Sequence, residues 1–230
     1  MKFIVFDCFA RFAHFKKPDT IKSPDSYLIP TRSSLTGMLG CMLGFSKKEF
    51  SKIWNPKNSK ICVGINKELR KELFTFNYRM VKDNKGSYCG STLARTQHVV
   101  TPNYRLYVSH NDVKTHDMLK TYVENNWSKY QTFLGISEHI SRVRFIGEYE
   151  AIEKKEGKKV FIDSVIQHNN IKKIHVGDHN YYTSEYMPRV MNSKRESLEY
   201  AKYWFDRSGK SIQVDVNKYF NVEGNLVCEM

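Results

Sequence analysis

The order in which strand-like and helix-like segments follow one another constrains the fold of this chain most. Apolar runs and apolar–polar alternation predict strands at 3–9, 60–66, 73–81, 104–108 and 141–152, and apolar stripes predict helices at 35–43 and 115–133. The turn sequence Asp83-Asn84-Lys85-Gly86 predicts a β-hairpin over about 81–101, inserted between the two middle strands. This β-α-β-β-α-β order predicts an α+β fold of the ferredoxin-like (RRM-like) type for residues 1–152.

The remainder of the chain, residues 153–230, is predicted to be a β-rich C-terminal extension. Strand patterns lie at 160–167, 171–176 and 211–216, a turn is expected at 156–159, and a short helix at 194–205. These patterns leave the topology of the extension open.

The first predicted helix has an unusual composition for so short a segment. Its apolar stripe consists of Leu35, Met38, Leu39, Met42 and Leu43, and either Ser33 or Ser34 is suited to cap it. Gly37 and Gly40 each cost about 1 kcal/mol of helix stability relative to alanine, which predicts close approach of another backbone. Gly44 is suited to end this helix, and Ser46 with Glu49 predicts a second short helix through Trp54.

The charge balance favours a polyanionic partner. Lys and Arg outnumber Asp and Glu by 37 to 24, the formal net charge is +13, and 13% of the residues are aromatic. A basic chain rich in tyrosine is typical of nucleic-acid binding, although some basic proteins bind no nucleic acid.

Cysteine usage and hydropathy narrow the class of protein further. The five cysteines are scattered without a C-x-x-C pair, which argues against a disulfide framework or a zinc site and favours a reducing cytoplasm. No apolar run approaches the ~18 residues of a membrane span. His175 and His179 have i, i+4 spacing, but Gly177 and the strand context argue against a metal site. No motif for a nucleotide or another cofactor is present, so no cofactor is predicted.

Three groups of residues are candidates for contacting nucleic acid. The first group consists of cations near the start of the first helix, where a phosphate could bind. The second is a basic hairpin whose tip has too few apolar residues to be buried. The third is an aromatic–arginine pair at the start of a strand, where the ring could stack on a base. These groups are Arg11, His14, Lys16, Lys17 and Arg32; then Arg79, Lys82, Lys85, Tyr88, Arg95, Gln97 and His98; then Tyr104 and Arg105. The alternatives are a surface salt bridge for Arg32, an ordinary loop for the hairpin and a core position for Tyr104.

Several motifs together resemble a known family. They are Ala13-His14-Phe15-Lys16-Lys17-Pro18, Ser26-Tyr27, Pro30-Thr-Arg-Ser-Ser-Leu-Thr-Gly37, Gly44, Gln97, Tyr104-Arg-Leu-Tyr and Phe133-Leu-Gly-Ile-Ser-Glu138. In this order the motifs resemble the Cas-five family of CRISPR-associated proteins, in the RAMP superfamily, over about residues 1–150.

The resemblance implies a function in antiviral defence. Such proteins are subunits of the type I surveillance complex Cascade, and they bind and cap the 5′ handle of the CRISPR RNA. Their fold is a ferredoxin-like domain with a hairpin thumb. The implied partners are the CRISPR RNA, the backbone subunit (Cas-seven family), the large subunit (Cas-eight family) and target DNA near the protospacer-adjacent motif. The block from Tyr27 to Gly44, which is the specific part of the resemblance and contains Arg32, would then belong to the RNA-binding surface.

The resemblance also bears on catalysis. One branch, in type I-C systems, cleaves precursor RNA with a tyrosine near the end of the first helix and a lysine–histidine pair. Here Leu43 occupies that helix position, and Gln97 rather than lysine precedes His98. The chain is therefore predicted to be a non-catalytic binder, from a type I-B system in which a Cas-six enzyme cuts.

Two alternatives stay open. One is a metal-independent endoribonuclease using His98, Tyr88 and Lys82 or Lys85. The other is an unrelated ferredoxin-like interaction domain that binds no RNA.

Overall fold

The computed structural model describes residues 1–20, 23–46, 48–82, 86–177, 181–192, 194 and 196–230 and has an α+β fold dominated by strands. The helices are α1 (Arg32–Leu43), α2 (Phe50–Ile53) and α3 (Val113–Glu124). The strands, in chain order, are β1 (Lys2–Phe9), β2 (Phe12–Ala13), β3 (Phe15–Lys16), β4 (Ser26–Tyr27), β5 (Ser59–Ile65), β6 (Arg70–Val81), β7 (Tyr88–Val100), β8 (Asn103–His110), β9 (Arg142–Ile162), β10 (Ile166–Gln167), β11 (Ile171–Ile174), β12 (Tyr182–Met191), β13 (Ser197–Asp206), β14 (Ile212–Val222) and β15 (Asn225–Val227). None of these helices has the length and apolar character needed to cross a bilayer.

The main sheet is antiparallel and has the order β11-β14-β9-β1-β8-β5, with β15 paired to β14. Strand β1 lies at its centre because its apolar residues face both sides. Ile4 and Phe6 pack with Leu39 and Leu119 beneath the helices, whereas Phe3 belongs to a cluster on the opposite face. Helices α1 and α3 therefore cover one face of the sheet.

Strand β9 is longer than the sequence predicted. Its first half pairs with β1 and its second half with β14, so the expected boundary at 152/153 lies inside one strand. The turn expected at 156–159 is wrong. Glu156 (φ 59°) and Lys159 (φ 50°) adopt left-handed conformations, and the register with β14 shifts between Val214 and Val216, so the chain forms a β-bulge and continues as a strand.

A second sheet, β10-β13-β12, closes over the outer side of α1. The helix expected at 194–205 is wrong, since β13 occupies most of that range. Its residues alternate from Ala201 to Phe205: Ala201, Tyr203 and Phe205 are buried and join the core that contains α1, while Lys202 and Trp204 between them are less buried. Period-two alternation is the signature of a strand.

Three further boundaries differ from the sequence expectation. The hairpin is formed by β6 and β7 and begins at Arg70, so the strand expected in the main sheet at 73–81 is one arm of the hairpin. Helix α3 ends at Glu124, because Asn125 caps it and Asn126 turns to φ 54°. Helix α1 is capped by Thr31, whose side chain accepts a hydrogen bond from the Ser34 amide, and not by Ser33 or Ser34.

Candidate nucleic-acid interface

A groove of about 630 Å³ follows one side of α1 from its first turn to Cys41. Its walls come from separate parts of the chain, which the fold brings together. They are the β3–β4 region with His14, Lys16 and Tyr27, the loop residues Tyr130, Phe133 and Gly135, and the end of β12 from Pro188 to Asn192. We call this feature the α1 groove.

The charge of the α1 groove is one-sided. Its cationic side chains are the exposed Lys16, the buried Arg32, and Arg189, which forms an ion pair with Glu199 at 3.1 Å, and its lining includes His14. Among the described residues that line it, none is aspartate or glutamate. The N-terminus of α1 carries no acidic residue in its first turn and adds the positive end of the helix dipole. These features suit an anion rather than a cation.

Arg32 is buried in the wall of the α1 groove, where its side chain has a structural role. It is 2% exposed, its Nη1 donates to the Trp54 carbonyl at 2.8 Å, and its Nη2 donates to the Ser59 carbonyl and Oγ at 3.2 and 3.0 Å. Burial lowers its pKa to about 10. The expectation that Arg32 itself holds a phosphate is therefore corrected, because its guanidinium joins α1 to the segment after α2.

The other predicted residues beside the groove differ in accessibility. Lys16 is open to solvent, whereas Lys17 forms an ion pair with Asp25 at 2.6 Å. Tyr27 is 4% exposed, lies under the Lys17 ammonium, and has a pKa raised to about 12 by burial. Arg11 is exposed at the end of β1 and stacks its guanidinium 5.4 Å from the Phe12 ring. Lys16 is thus the accessible cation of the predicted groove set.

The glycines of α1 have two different roles. A Cβ at Gly40 would lie 2.6 Å from Phe50 Cβ, so the neighbour that approaches there is a side chain of α2 and not the predicted backbone. A Cβ at Gly37 would meet nothing within 4 Å, and Gly37 lines the open groove. Gly44 ends the helix at φ 82°, as its position predicted. At Gly135, φ is 92° and a Cβ would be 1.9 Å from the His14 carbonyl, so this loop requires glycine.

The hairpin carries an exposed aromatic face that sequence reasoning had assigned to the sheet. Phe74, Phe76 and Tyr78 alternate along β6, with ring centroids 6.3 and 6.1 Å apart, and Phe76 and Tyr78 are 37% and 48% exposed. Met80 continues the row toward the tip. The small residues Ala94 and Thr92 of β7 oppose Phe76 and Tyr78, which leaves these two rings partly open to a partner, whereas Phe74 packs against Phe12 and His98.

The predicted polar residues of the hairpin are mostly exposed. Arg79 lies over the Tyr88 ring at 5.1 Å, Lys82 lies at the tip, and Arg95 is open to solvent farther down β7. The side chain of Gln97 is exposed while its backbone bonds to Pro24. Lys85 lies outside the described residues. The hairpin thus presents cations and rings over its whole length.

A cluster of three histidines lies where the hairpin joins the body. His98 Nδ1 is 2.6 Å from His139 Nε2, its Nε2 is 2.6 Å from Thr96 Oγ1, and His14 Nδ1 donates to the Gln97 carbonyl at 2.8 Å. His98 is 2% exposed, and burial together with its two histidine neighbours lowers its pKa to about 4. Both ring nitrogens of His98 are occupied, which corrects the expectation that its ring faces RNA.

Tyr104 and Arg105 lie in the main sheet and away from the hairpin surface. Tyr104 is fully buried and its hydroxyl donates to the Leu28 carbonyl, so stacking on a base is ruled out in this structure. Arg105 Nε donates to Asp7 at 2.8 Å, and Arg144 contacts the other oxygen of the same buried carboxylate. The expectation for this pair is corrected, because the pattern of strand residues does not reveal which face is covered.

Part of the candidate interface had no clear sequence signal. Arg189 and its neighbours reach the groove from β12, about 150 positions after α1, and Tyr130 and Phe133 belong to a region expected to be helical. Among the described residues, no group of three or more His, Cys, Asp or Glu side chains is arranged to hold a metal ion.

Comparison with known proteins identifies the family. A family model described as CRISPR-associated protein (Cas_Cas5) matches residues 3–205, which is most of the chain. The chain belongs to the Cas-five family. A comparison with curated proteins finds no match.

Solved structures agree with this fold. A CRISPR protein from Archaeoglobus fulgidus aligns with a TM-score of 0.60 at 12% identity, covering 99% of this chain and 98% of that one. A chain of a CRISPR RNA-guided surveillance complex aligns with a TM-score of 0.54 at 11% identity, covering 92% and 91%. At these identities the likeness describes the fold of this Cas-five protein, and its function requires a separate argument.

Proposed function

We propose that this Cas-five protein is a subunit of a CRISPR RNA-guided effector complex and binds the 5′ handle of the CRISPR RNA in the α1 groove. The observation that carries the proposal is the acid-free lining of the groove beside the exposed cation of Lys16 and the positive end of α1. RNA phosphates are the anions that such a surface suits, and phosphate contacts position a nucleic acid without reading its sequence.

The hairpin acts in this proposal as a thumb that lies along the RNA. On one face of the hairpin the open rings of Phe76 and Tyr78 are placed for bases, and Lys82 at the tip is placed for a phosphate, while Arg79 and Arg95 lie on the opposite face. The strand order β9-β1-β8-β5, with α1 and α3 on one face, supports a ferredoxin-like domain beneath the thumb.

The proposed protein partners are the backbone subunit (Cas-seven family) and the large subunit (Cas-eight family), next to target DNA at the protospacer-adjacent motif. A hairpin that exposes Leu73, Val81 and Leu93 on its second face supports contact with another subunit. All five cysteines are free thiols, which fits a complex that works in the reducing cytoplasm. The type I-B assignment stays a prediction.

We further propose that the protein holds RNA without cutting it. The alternative endoribonuclease needs His98 beside Tyr88 and either Lys82 or Lys85, of which Lys85 lies outside the described residues. His98 is ten residues from Tyr88 along β7, roughly 33 Å at about 3.3 Å per residue, and Lys82 lies at the same tip as Tyr88. These three groups therefore cannot act on one phosphate within a single chain.

The first experiment measures affinity of the purified protein for RNA that carries the handle. Lys16→Glu is expected to weaken binding at least tenfold and to reduce the slope of log K against log salt by about 1. Lys114→Glu, an equally exposed reversal on α3, is the matched control. Equal losses in the two variants would indicate a diffuse charge effect and refute the groove as the binding site.

A second experiment addresses cleavage. Labelled repeat RNA is incubated with the protein in the presence of EDTA, and no cleavage is expected. Persistent cleavage that His98→Ala abolishes would overturn the non-catalytic proposal in favour of the nuclease.

A further inference from the structure

The outer face of the β12–β13 pair is a row of exposed aromatic and cationic side chains that the α1 groove does not include. Tyr186 and Tyr200 are 64% and 39% exposed, and Lys202 and Trp204 follow on β13 at alternate positions. Tyr186 is opposite Lys202 in the strand pairing. We call these four residues the β12–β13 platform.

The platform is built as a set of oriented rings. The rings of Tyr186 and Tyr200 stack with centroids 5.5 Å apart and planes 21° apart. The Lys202 ammonium lies 4.8 Å from the centroid of the Trp204 ring, and Trp204 Nε1 donates to His168 Nδ1 at 3.1 Å, which fixes that indole. Such partners hold the rings in place while 64% of Tyr186 and 39% of Tyr200 remain exposed to solvent.

The chemistry of this face fits unpaired bases. The outward positions 184, 186, 198, 200, 202 and 204 carry no carboxylate, whereas Glu185 and Glu199 occupy alternate positions. Aromatic rings with a neighbouring lysine bind single-stranded nucleic acid by stacking and by phosphate attraction, with little sequence preference.

We propose that the β12–β13 platform binds a single-stranded segment of RNA by stacking its bases on Tyr186 and Tyr200, with Lys202 facing a phosphate. This extends the proposed function, because β12 continues from Tyr186 to Pro188 and Arg189 in the groove wall. An RNA strand leaving the groove along β12 meets these rings next.

The test compares four variants of the full chain by titration with a labelled single-stranded RNA and with a duplex of the same sequence. Tyr186→Ala and Tyr200→Ala are each expected to weaken single-strand binding roughly tenfold, the loss of one stacked base. Tyr200→Phe keeps the ring and is expected to retain affinity. Tyr181→Ala, which removes an exposed tyrosine elsewhere, is the matched control.

Photocrosslinking of 4-thiouridine RNA to wild-type protein is expected to label Tyr186 or residues of β13, which lie outside the groove lining. Unchanged affinity in both alanine variants, or equal affinity for the duplex, would overturn the proposal. Loss of a protein partner in these variants without any RNA crosslink to the platform would also overturn it, in favour of a protein interface.

The two sets of variants distinguish failure of the platform proposal from failure of the groove proposal. If Lys16→Glu loses RNA and the tyrosine variants do not, the platform proposal alone fails. If the tyrosine variants lose RNA and Lys16→Glu does not, the groove proposal alone fails.

Discussion

Replacing Gly37 and Gly40 separately by alanine tests whether one side of α1 is open and the other packed. Both changes gain helix propensity, about 1 kcal/mol each. At Gly37 nothing lies within 4 Å of the added methyl, so the gain is expected in full. The midpoint temperature of unfolding should rise by roughly 2–4 °C, the shift that 1 kcal/mol gives in a protein of this size.

The same methyl at Gly40 enters an occupied space. It would lie 2.6 Å from Phe50 Cβ and 3.2 Å from Phe50 Cγ, whereas carbon atoms pack favourably at about 3.5–4.0 Å. Because the nearer atom is next to the backbone, α2 must move, and overpacking of this kind costs about 1–3 kcal/mol. The propensity gain is common to both variants, so Gly40→Ala should be less stable than Gly37→Ala by about 1–3 kcal/mol.

Thermal unfolding followed by circular dichroism measures this difference directly. The expected separation of the two midpoint temperatures is roughly 2–12 °C, from about 2–4 °C per kcal/mol. A Gly40→Ala protein as stable as the Gly37→Ala protein would refute the packing of α1 against Phe50.

Three further outcomes are expected from other parts of the structure. Arg32→Ala leaves the carbonyl groups of Trp54 and Ser59 without their donor, so urea titration should show a loss of roughly 2–5 kcal/mol, and a neutral result would contradict the buried role of this arginine. In the folded protein the pKa of His98 is lowered from 6.5 to about 4, so the unfolded chain binds more protons in this pH range. The free energy of unfolding should therefore fall as the pH drops from about 6.5 toward 4. The same loss of stability over this range in His98→Gln would contradict this assignment. Combined Phe76→Ala and Tyr78→Ala changes should weaken RNA binding roughly tenfold or more without lowering the unfolding temperature, whereas unchanged affinity would exclude this face from RNA contact.

The sequence predicts those elements whose local pattern and tertiary environment agree. Helix α1 is an example, because the stripe from Leu35 to Leu43 faces a core on the side that the stripe predicts. The extent of β9 was missed because Glu156 and Gly157 have the character of a turn, while pairing with β14 keeps the chain extended there. In β13 the alternation of Ala201 with Lys202 was present in the sequence but was outweighed by residues with helical propensity.

The candidate interface was predictable only in part. Local composition identified the α1 block and the basic hairpin, since both are contiguous in the chain. It did not identify which cations are accessible: Arg32 and His98 are buried by contacts from residues 22 to 41 positions away. The second groove wall at Arg189 and the platform at Tyr186 depend on a sheet that pairs late segments over α1, and no local pattern encodes that packing.

Protection of the RNA 5′ end is the measurement that tests the central claim most directly. Effector complexes containing wild-type, Gly37→Ala or Gly37→Leu protein would be purified, and their RNA digested with a 5′-dependent exonuclease. Leucine has high helix propensity, and its Cβ meets nothing within 4 Å at Gly37, so the variant is expected to fold while its side chain narrows the groove. The account predicts a protected 5′ end in wild type and Gly37→Ala and an exposed one in Gly37→Leu. Full protection in a stably folded Gly37→Leu complex would contradict it.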